Sequence, residues 1–219
     1  MGEQLADAFL SKRQLMVELQ LRQRGIRDSR VLQAFLDVPR HEFVPIEKRV
    51  QAYDDQPLEI GAGQTISQPY IIAAMLQALA LTGKEHVLDV GTGSGYVAAL
   101  LSRLAAQVFT IERHALLLES ARSLLVRLGY NNIAALVGDG SRGLPERAPF
   151  DAILVSAAAP KVPESLLQQL TQDGRLVIPV GGLDSQMLVL VRKEGSTASV
   201  QELDSCRFVP LIGGEGFPV

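Results

Sequence analysis

The feature that most constrains the fold is a glycine-rich turn at residues 86–96, HVLDVGTGSGY. Residues 86–90 form a short, mostly apolar run, which predicts a strand buried on both faces of a sheet. Apolar residues then recur at helical spacing after the last glycine of the turn, at Val97, Leu100, Leu101 and Leu104. The segment therefore predicts a strand, a tight turn and a helix whose first N–H groups can face a ligand.

The spacing of these glycines separates two classes of ligand. A dinucleotide-binding turn has the pattern G-x-G-x-x-G, but Tyr96 occupies the third glycine position here. The pattern is instead D-x-G-x-G-x-G from Asp89, which resembles motif I of the AdoMet-dependent methyltransferases. The candidate cofactor residues of this turn are Gly91, Thr92, Gly93, Ser94 and Gly95. An ordinary tight turn in an α/β protein is the alternative.

Two acidic residues follow later predicted strands. Glu112 ends a predicted strand at 107–111, about 20 residues after the glycines, where an acid of a βαβ unit reaches ribose hydroxyls. AdoMet, NAD and FAD all contain ribose, so Glu112 does not distinguish among them. Asp139 and Gly140 follow a predicted strand at 133–137, at the edge where open α/β sheets bind ligands. A turn-forming aspartate is the alternative for Asp139.

Composition narrows the classes of protein further. The chain has 219 residues, 47% of them hydrophobic, which suits one α/β domain with additions. A net charge of −3 and the absence of Trp argue against a nucleic-acid partner. The longest apolar stretch, residues 71–81, is too short to span a membrane, and no signal peptide is expected. One cysteine and three scattered histidines predict no metal site, and we expect a monomer in the cytoplasm.

The first 80 residues have a different organisation from the rest. Amphipathic periodicity predicts helices over residues 3–24 and 30–38, and a third over 70–81 with Ser67 as its N-cap. Residues 53–66 are rich in turn formers and are expected to be irregular. We therefore predict a helical cap and active-site loop at 1–80, joined to an α/β core at 81–219 in one compact unit.

The segment GQTISQPYIIAAM at residues 63–75 closely resembles the active-site segment of the protein-L-isoaspartate O-methyltransferases. The resemblance covers most of the chain and includes RHEFVP (40–45), YDDQPLEIG (53–61), VLDVGTGSGY (87–96), TIER (110–113), LGYNN (128–132), GDG (138–140), APFDAILVSAAAP (148–160), GRLVIPVG (174–181) and RFVPLIGGEG (207–216). The departures are Leu144, where the bacterial pattern commonly has Trp, and the unusual lead-in Ser205-Cys206-Arg207.

This resemblance implies a Rossmann-like sheet of about seven mostly parallel strands, with the central order 3-2-1-4-5. It also implies S-adenosyl-L-methionine as cofactor, S-adenosyl-L-homocysteine as product, and L-isoaspartyl proteins and peptides as substrates. Asp139 would bind the adenine amino group and the Gly140 N–H a ring nitrogen. Ser67 is the catalytic candidate, and the candidate substrate contacts are Thr65, Ile66, Val209 and Pro210.

The implied chemistry explains why few catalytic side chains stand out. An α-carboxyl has a pKa of roughly 3–4, so the acceptor is already ionised at neutral pH and needs no general base. Alignment of the reacting atoms alone can supply roughly 7–11 kcal/mol in favourable cases. An NAD-dependent oxidoreductase, a methyltransferase with another acceptor and a non-enzymatic AdoMet-binding protein are the alternatives.

Overall fold

A computed structural model describes residues 2–195 and 197–218, with side chains from residue 7 onward. The helices are α1 (Gly2–Leu15), α2 (Ser29–Asp37), α3 (Pro69–Leu79), α4 (Tyr96–Ser102), α5 (Ala115–Arg127) and α6 (Glu164–Gln168). The strands are β1 (Leu58–Gly61), β2 (Gln64–Ile66), β3 (His86–Val90), β4 (Gln107–Glu112), β5 (Ile133–Val137), β6 (Phe150–Val155), β7 (Leu170–Gly181), β8 (Gln186–Glu194) and β9 (Thr197–Cys206). Helix α1 continues through a π-helical turn, Met16–Leu21, and a 3-10 turn, Arg22–Arg24.

Seven strands form one sheet in the order β5-β4-β3-β6-β7-β8-β9. The first five strands are parallel, while β8 and β9 are antiparallel to their neighbours. This arrangement confirms the predicted α/β fold and its central order, and it adds the placement of the last two strands. Because β3 to β6 are parallel, the residues that follow them meet at one edge of the sheet.

The glycine-loop strand β3 lies at the centre of the sheet between β4 and β6. Val87, Leu88 and Val90 are each at most 1% exposed. Val87 packs into the apolar cluster that contains α2, α3 and α4, whereas Leu88 and Val90 pack into the cluster on the opposite face. The strand is therefore apolar nearly throughout, as a strand covered by helices on both faces must be.

The N-terminal helices pack on one face of this sheet. Asp28 caps α2 by accepting hydrogen bonds from the Arg30 and Val31 N–H groups. Residues of α2 and α3 share one buried apolar cluster with Val87 and Val177. The division of the chain at residue 80 stays a prediction. No helix among the described residues is long and apolar enough to cross a membrane.

Two local predictions about the segment before α3 were wrong. Gln68, and not Ser67, occupies the N-cap position of α3, and it makes no side-chain capping bond. The reason is Pro69, the first helical residue, which holds the residue before it in an extended conformation. Residues 58–66, expected to be irregular, form an antiparallel hairpin of β1 and β2, because their pairing depends on backbone bonds and not on side-chain periodicity.

Candidate active site

A cleft lies at the carboxyl edge of β3, β4 and β6, and we refer to it as the central cleft. It is lined by residues 64–67, 90–94, 96–97, 111–114, 140, 156–157 and 209–212. The structure thus brings together the predicted site residues Thr65, Ile66, Ser67, Gly91, Thr92, Gly93, Ser94, Glu112, Gly140, Val209 and Pro210. Gly95 and Asp139 are the two predicted residues that do not line it.

The glycine loop forms the floor of the cleft with bare backbone. Gly91 and Gly93 have φ values of 96° and 53°, which favour glycine. The Gly91 N–H donates to the Ile111 carbonyl at 2.9 Å, which ties the loop to β4. Gly95 has a separate role: a Cβ there would lie 3.3 Å from the Ala121 Cβ and from the Leu125 Cδ1, so it permits close packing of α4 against α5.

A series of buried, hydrogen-bonded polar side chains supports this loop. The Thr92 and Thr110 hydroxyls lie 2.6 Å apart, and Thr110 donates to Asp89 Oδ2 at 2.7 Å. Asp89 is fully buried, and its Oδ1 has no hydrogen-bond partner among the described residues. Burial raises the pKa of Asp89 to about 7, although the bond from Thr110 favours ionisation.

Glu112 connects the end of β4 to the glycine loop. Its carboxylate is 6% exposed, accepts from the Gly93 N–H at 3.0 Å through Oε2, and accepts from the His114 N–H at 2.9 Å through Oε1. A carboxylate has about four acceptor positions, so two remain for a ligand in the cleft. This arrangement suits a ribose diol.

Asp139 lies beside the cleft and holds the C-terminal segment. Oδ1 accepts from the Ser141 N–H at 3.0 Å and from the Ser141 hydroxyl at 2.7 Å, and Oδ2 accepts from the Gly214 N–H at 2.8 Å. Partial burial opposes ionisation, but these bonds hold the pKa of Asp139 below its ordinary value. The adjacent Gly140 lines the cleft, and a Cβ there would lie only 2.6 Å from Val90 Cγ1.

Two further parts of the cleft wall are the β2 segment and residues 209–212. The latter are anchored through Ala158, whose N–H donates to the Val209 carbonyl at 2.8 Å and whose carbonyl accepts from Leu211 at 2.7 Å. The Ser67 carbonyl accepts from Arg40 Nη2 at 2.8 Å. The Ser156 hydroxyl, also on the cleft wall, is buried and has no hydrogen-bond partner among the residues that the structure describes.

Several lining residues were missed from the sequence. Gln64, Arg113 and His114 reach the cleft because they flank residues that were predicted. Adjacency to Glu112 was a usable signal for the latter two. Arg40 was also missed as a contact of Ser67, since 27 residues separate them. Within the described part of the chain, no group of three His, Cys, Asp or Glu side chains is arranged to hold a metal ion.

The cleft fits S-adenosyl-L-methionine on three structural grounds. The glycine loop presents bare backbone, the Glu112 carboxylate has acceptor positions left for a diol, and the Ser156 hydroxyl has no hydrogen-bond partner in the described part of the chain. The strand order and the glycine loop define the class of the protein, which is that of the AdoMet-dependent methyltransferases.

Comparison with known proteins narrows this class to one family. The model of the protein-L-isoaspartate(D-aspartate) O-methyltransferase family matches residues 10–216. The chain is 56% identical over 209 residues to the protein-L-isoaspartate O-methyltransferase of Koribacter versatilis, covering 95% of this chain and 94% of that one. It is also 56% identical over 209 residues to the enzyme of the same name from Roseiflexus sp. strain RS-1, covering 95% of both.

Solved structures agree with this result. One protein-L-isoaspartate O-methyltransferase superposes with a TM-score of 0.81 at 30% identity, covering 93% of this chain and 66% of that chain. A Plasmodium falciparum protein, described as a beta-aspartate methyltransferase in complex with S-adenosyl-L-homocysteine, gives a TM-score of 0.77 at 27% identity, covering 90% and 96%. The chain belongs to the protein-L-isoaspartate(D-aspartate) O-methyltransferase family.

Proposed function

We propose that this chain transfers a methyl group from S-adenosyl-L-methionine to the free α-carboxyl of L-isoaspartyl residues in damaged proteins and peptides. The backbone nitrogen of the next residue can then attack the methyl ester and release methanol, and hydrolysis of the resulting succinimide gives the chain a second opportunity to form normal aspartate. The observation that carries the proposal is the position of Ser67, whose segment lines the same central cleft as the glycine loop.

The cofactor-binding roles follow from the groups that the cleft presents. S-adenosyl-L-methionine supplies a methyl group on a sulfonium centre. The loop residues Gly91 to Ser94 would bind its methionine part, with Gly95 setting the helix packing behind them, and Glu112 would accept from the ribose hydroxyls. Gly140 would donate its N–H to the adenine, and Asp139 Oδ2, which accepts one bond from Gly214, retains a lone pair for the adenine amino group.

The substrate roles belong to the β2 segment and residues 209–212 of the cleft wall. The Ser67 hydroxyl would donate to the substrate carboxylate and orient it, while Thr65 and Ile66 hold the neighbouring main chain. Val209 and Pro210 would exclude water and shape the site around the kinked isoaspartyl backbone. Because the carboxylate is ionised at neutral pH, these residues need to align it and do not need to remove a proton.

The decisive experiment supplies labelled S-adenosyl-L-methionine with an isoaspartyl peptide and, separately, with its aspartyl twin. We expect base-labile label in the isoaspartyl peptide and at least a hundredfold less in the twin. Equal labelling of the two peptides, or label that resists base, would overturn the proposed function. Equilibrium binding of S-adenosyl-L-homocysteine and of NAD, measured side by side, tests the cofactor separately from the acceptor.

The chain is further proposed to act as a cytoplasmic monomer without a nucleic-acid partner. A net charge of −3 supports the last point, because phosphate binding favours a basic surface. Light scattering behind size-exclusion chromatography should give a mass near 23.7 kDa, and twice that mass would contradict the monomer.

A further inference from the structure

Arg40 is a fully buried cation in direct contact with the proposed catalytic segment. It is 0% exposed and begins a short 3-10 helix, Arg40–Phe43. Its Nη2 donates to the Ser67 carbonyl at 2.8 Å, and its Nε donates to the Ala52 carbonyl at 2.7 Å. One planar guanidinium therefore joins two loops that are 15 residues apart in the chain.

The guanidinium of Arg40 makes no direct ion pair among the described residues, and the Asp55 carboxylate stabilises its charge only from a longer distance. No carboxylate of the described residues lies within 4.0 Å of its guanidinium. The guanidinium carbon lies 4.9 Å from the ring centroid of Tyr96, the first residue of α4 after the glycine loop. Buried charges are usually paired, because removing an unpaired ion from water is costly. A buried cation without a direct ion pair, one residue away from the cleft lining, favours an anionic ligand in that cleft.

We propose that Arg40 is a positioning residue for methyl transfer, which holds the Ser67 main chain in place at the cleft wall and favours a carboxylate acceptor there. This inference rests on the proposed function. By binding the Ser67 carbonyl, Arg40 fixes the position of the Ser67 hydroxyl. Arg40 also packs against the Tyr96 ring at the start of the cofactor-binding helix. Arg40 itself does not line the cleft, so it acts on the substrate through these neighbours.

The geometry requires arginine and not merely a positive charge. A guanidinium donates in fixed directions from a planar fork, whereas an ammonium is a compact point donor on a flexible stem. Lysine at this position would keep the charge but lose at least one of the two carbonyl bonds. Methionine would keep much of the apolar stem and lose both the bonds and the charge.

The test measures kcat and KM for an isoaspartyl peptide, and the Kd for S-adenosyl-L-homocysteine, in wild type, R40K and R40M. We expect R40M to lower kcat/KM at least 30-fold and R40K to lie between R40M and wild type. The Kd for S-adenosyl-L-homocysteine should stay within threefold. R30M is the matched control, because Arg30 also donates to two backbone carbonyls, of Leu81 and Leu104, away from the cleft.

R30M should lower the thermal midpoint while its kcat/KM stays within twofold of wild type. Should R40M fail to fold, R40K in the S67A background decides the question. If Arg40 acts through Ser67, R40K lowers kcat/KM at least fivefold in wild type but less than twofold when the hydroxyl is already absent.

Equal effects of R40K in both backgrounds, or wild-type kcat/KM in R40K and R40M, would overturn the positioning role. So would a loss of S-adenosyl-L-homocysteine affinity as large as the loss of kcat/KM. These failures leave wild-type methylation of the isoaspartyl peptide intact, so they are distinct from failure of the proposed function, in which wild type itself does not label that peptide.

Discussion

Replacing Glu112 by alanine should weaken the cofactor far more than it slows methyl transfer. The carboxylate connects β4 to the glycine loop by accepting from the N–H groups of Gly93 and His114 at 3.0 and 2.9 Å. It is almost buried at 6% exposure, and its two remaining acceptor positions are those assigned to the ribose diol. E112A removes both sets of bonds together.

The size of the effect follows from the number of bonds lost. Hydrogen bonds to a charged group contribute about 1.5–3 kcal/mol each. Two bonds to the diol at the lower value give about 3 kcal/mol, which corresponds to about a hundredfold in Kd. The backbone N–H groups of Gly93 and His114 lose their acceptor as well, so the ligand-free chain should also become less stable. E112Q keeps one acceptor oxygen and should fall between E112A and wild type.

Isothermal titration with S-adenosyl-L-homocysteine measures the Kd directly, and kcat at saturating S-adenosyl-L-methionine measures the transfer step. E119A is the control, because Glu119 is an exposed acid of α5 paired with Arg122. We expect E119A to bind as wild type does. A Kd for E112A within threefold of wild type would refute the assignment of the diol to Glu112.

Three further substitutions test separate parts of the site. S67A should lower kcat for the isoaspartyl peptide at least tenfold and leave the Kd for S-adenosyl-L-homocysteine within twofold, because the role proposed for the hydroxyl is to orient the acceptor carboxylate. The pKa of Asp89 is about 7 in the folded chain against an ordinary 3.8. Its contribution to the free energy of unfolding is therefore highest at low pH and decreases as the pH rises from 4 through 7. D89N removes this pH dependence. The free energy of unfolding of D89N minus that of wild type, measured with urea, should therefore increase between pH 5 and 7.5. G140A places a Cβ 2.6 Å from Val90 Cγ1 and should lower the free energy of unfolding by about 1–3 kcal/mol.

Each of these predictions has a matched control and a contradicting result. S120A removes an exposed serine hydroxyl, and equal kcat values for S67A and S120A would exclude Ser67 from catalysis. A stability difference between D89N and wild type that is flat across this pH range would mean that Asp89 titrates normally. G182A adds a Cβ into open space, and a loss of stability as large as that of G140A would contradict the packing argument.

The local sequence was sufficient to predict the secondary-structure elements that have a strong apolar pattern. The bounds of β3 and β5 were predicted to the residue, because each is a mostly apolar run that ends at turn formers. The order of the central strands followed from the family resemblance. The glycine loop, Glu112 and Gly140 could be assigned to one edge, since parallel strands end on the same side.

The tertiary structure decided what depends on contacts between distant residues. No pattern in the chain pairs β1 with β2, moves the N-cap of α3 to Gln68, or directs the Asp139 carboxylate toward Gly214. The burial of Arg40 against Ser67 is of the same kind, because a charged residue read alone predicts an exposed surface. Local periodicity predicts only which faces of an element are buried. The hydrogen-bond partners of a buried polar group are distant in the sequence and become its neighbours only when the chain folds.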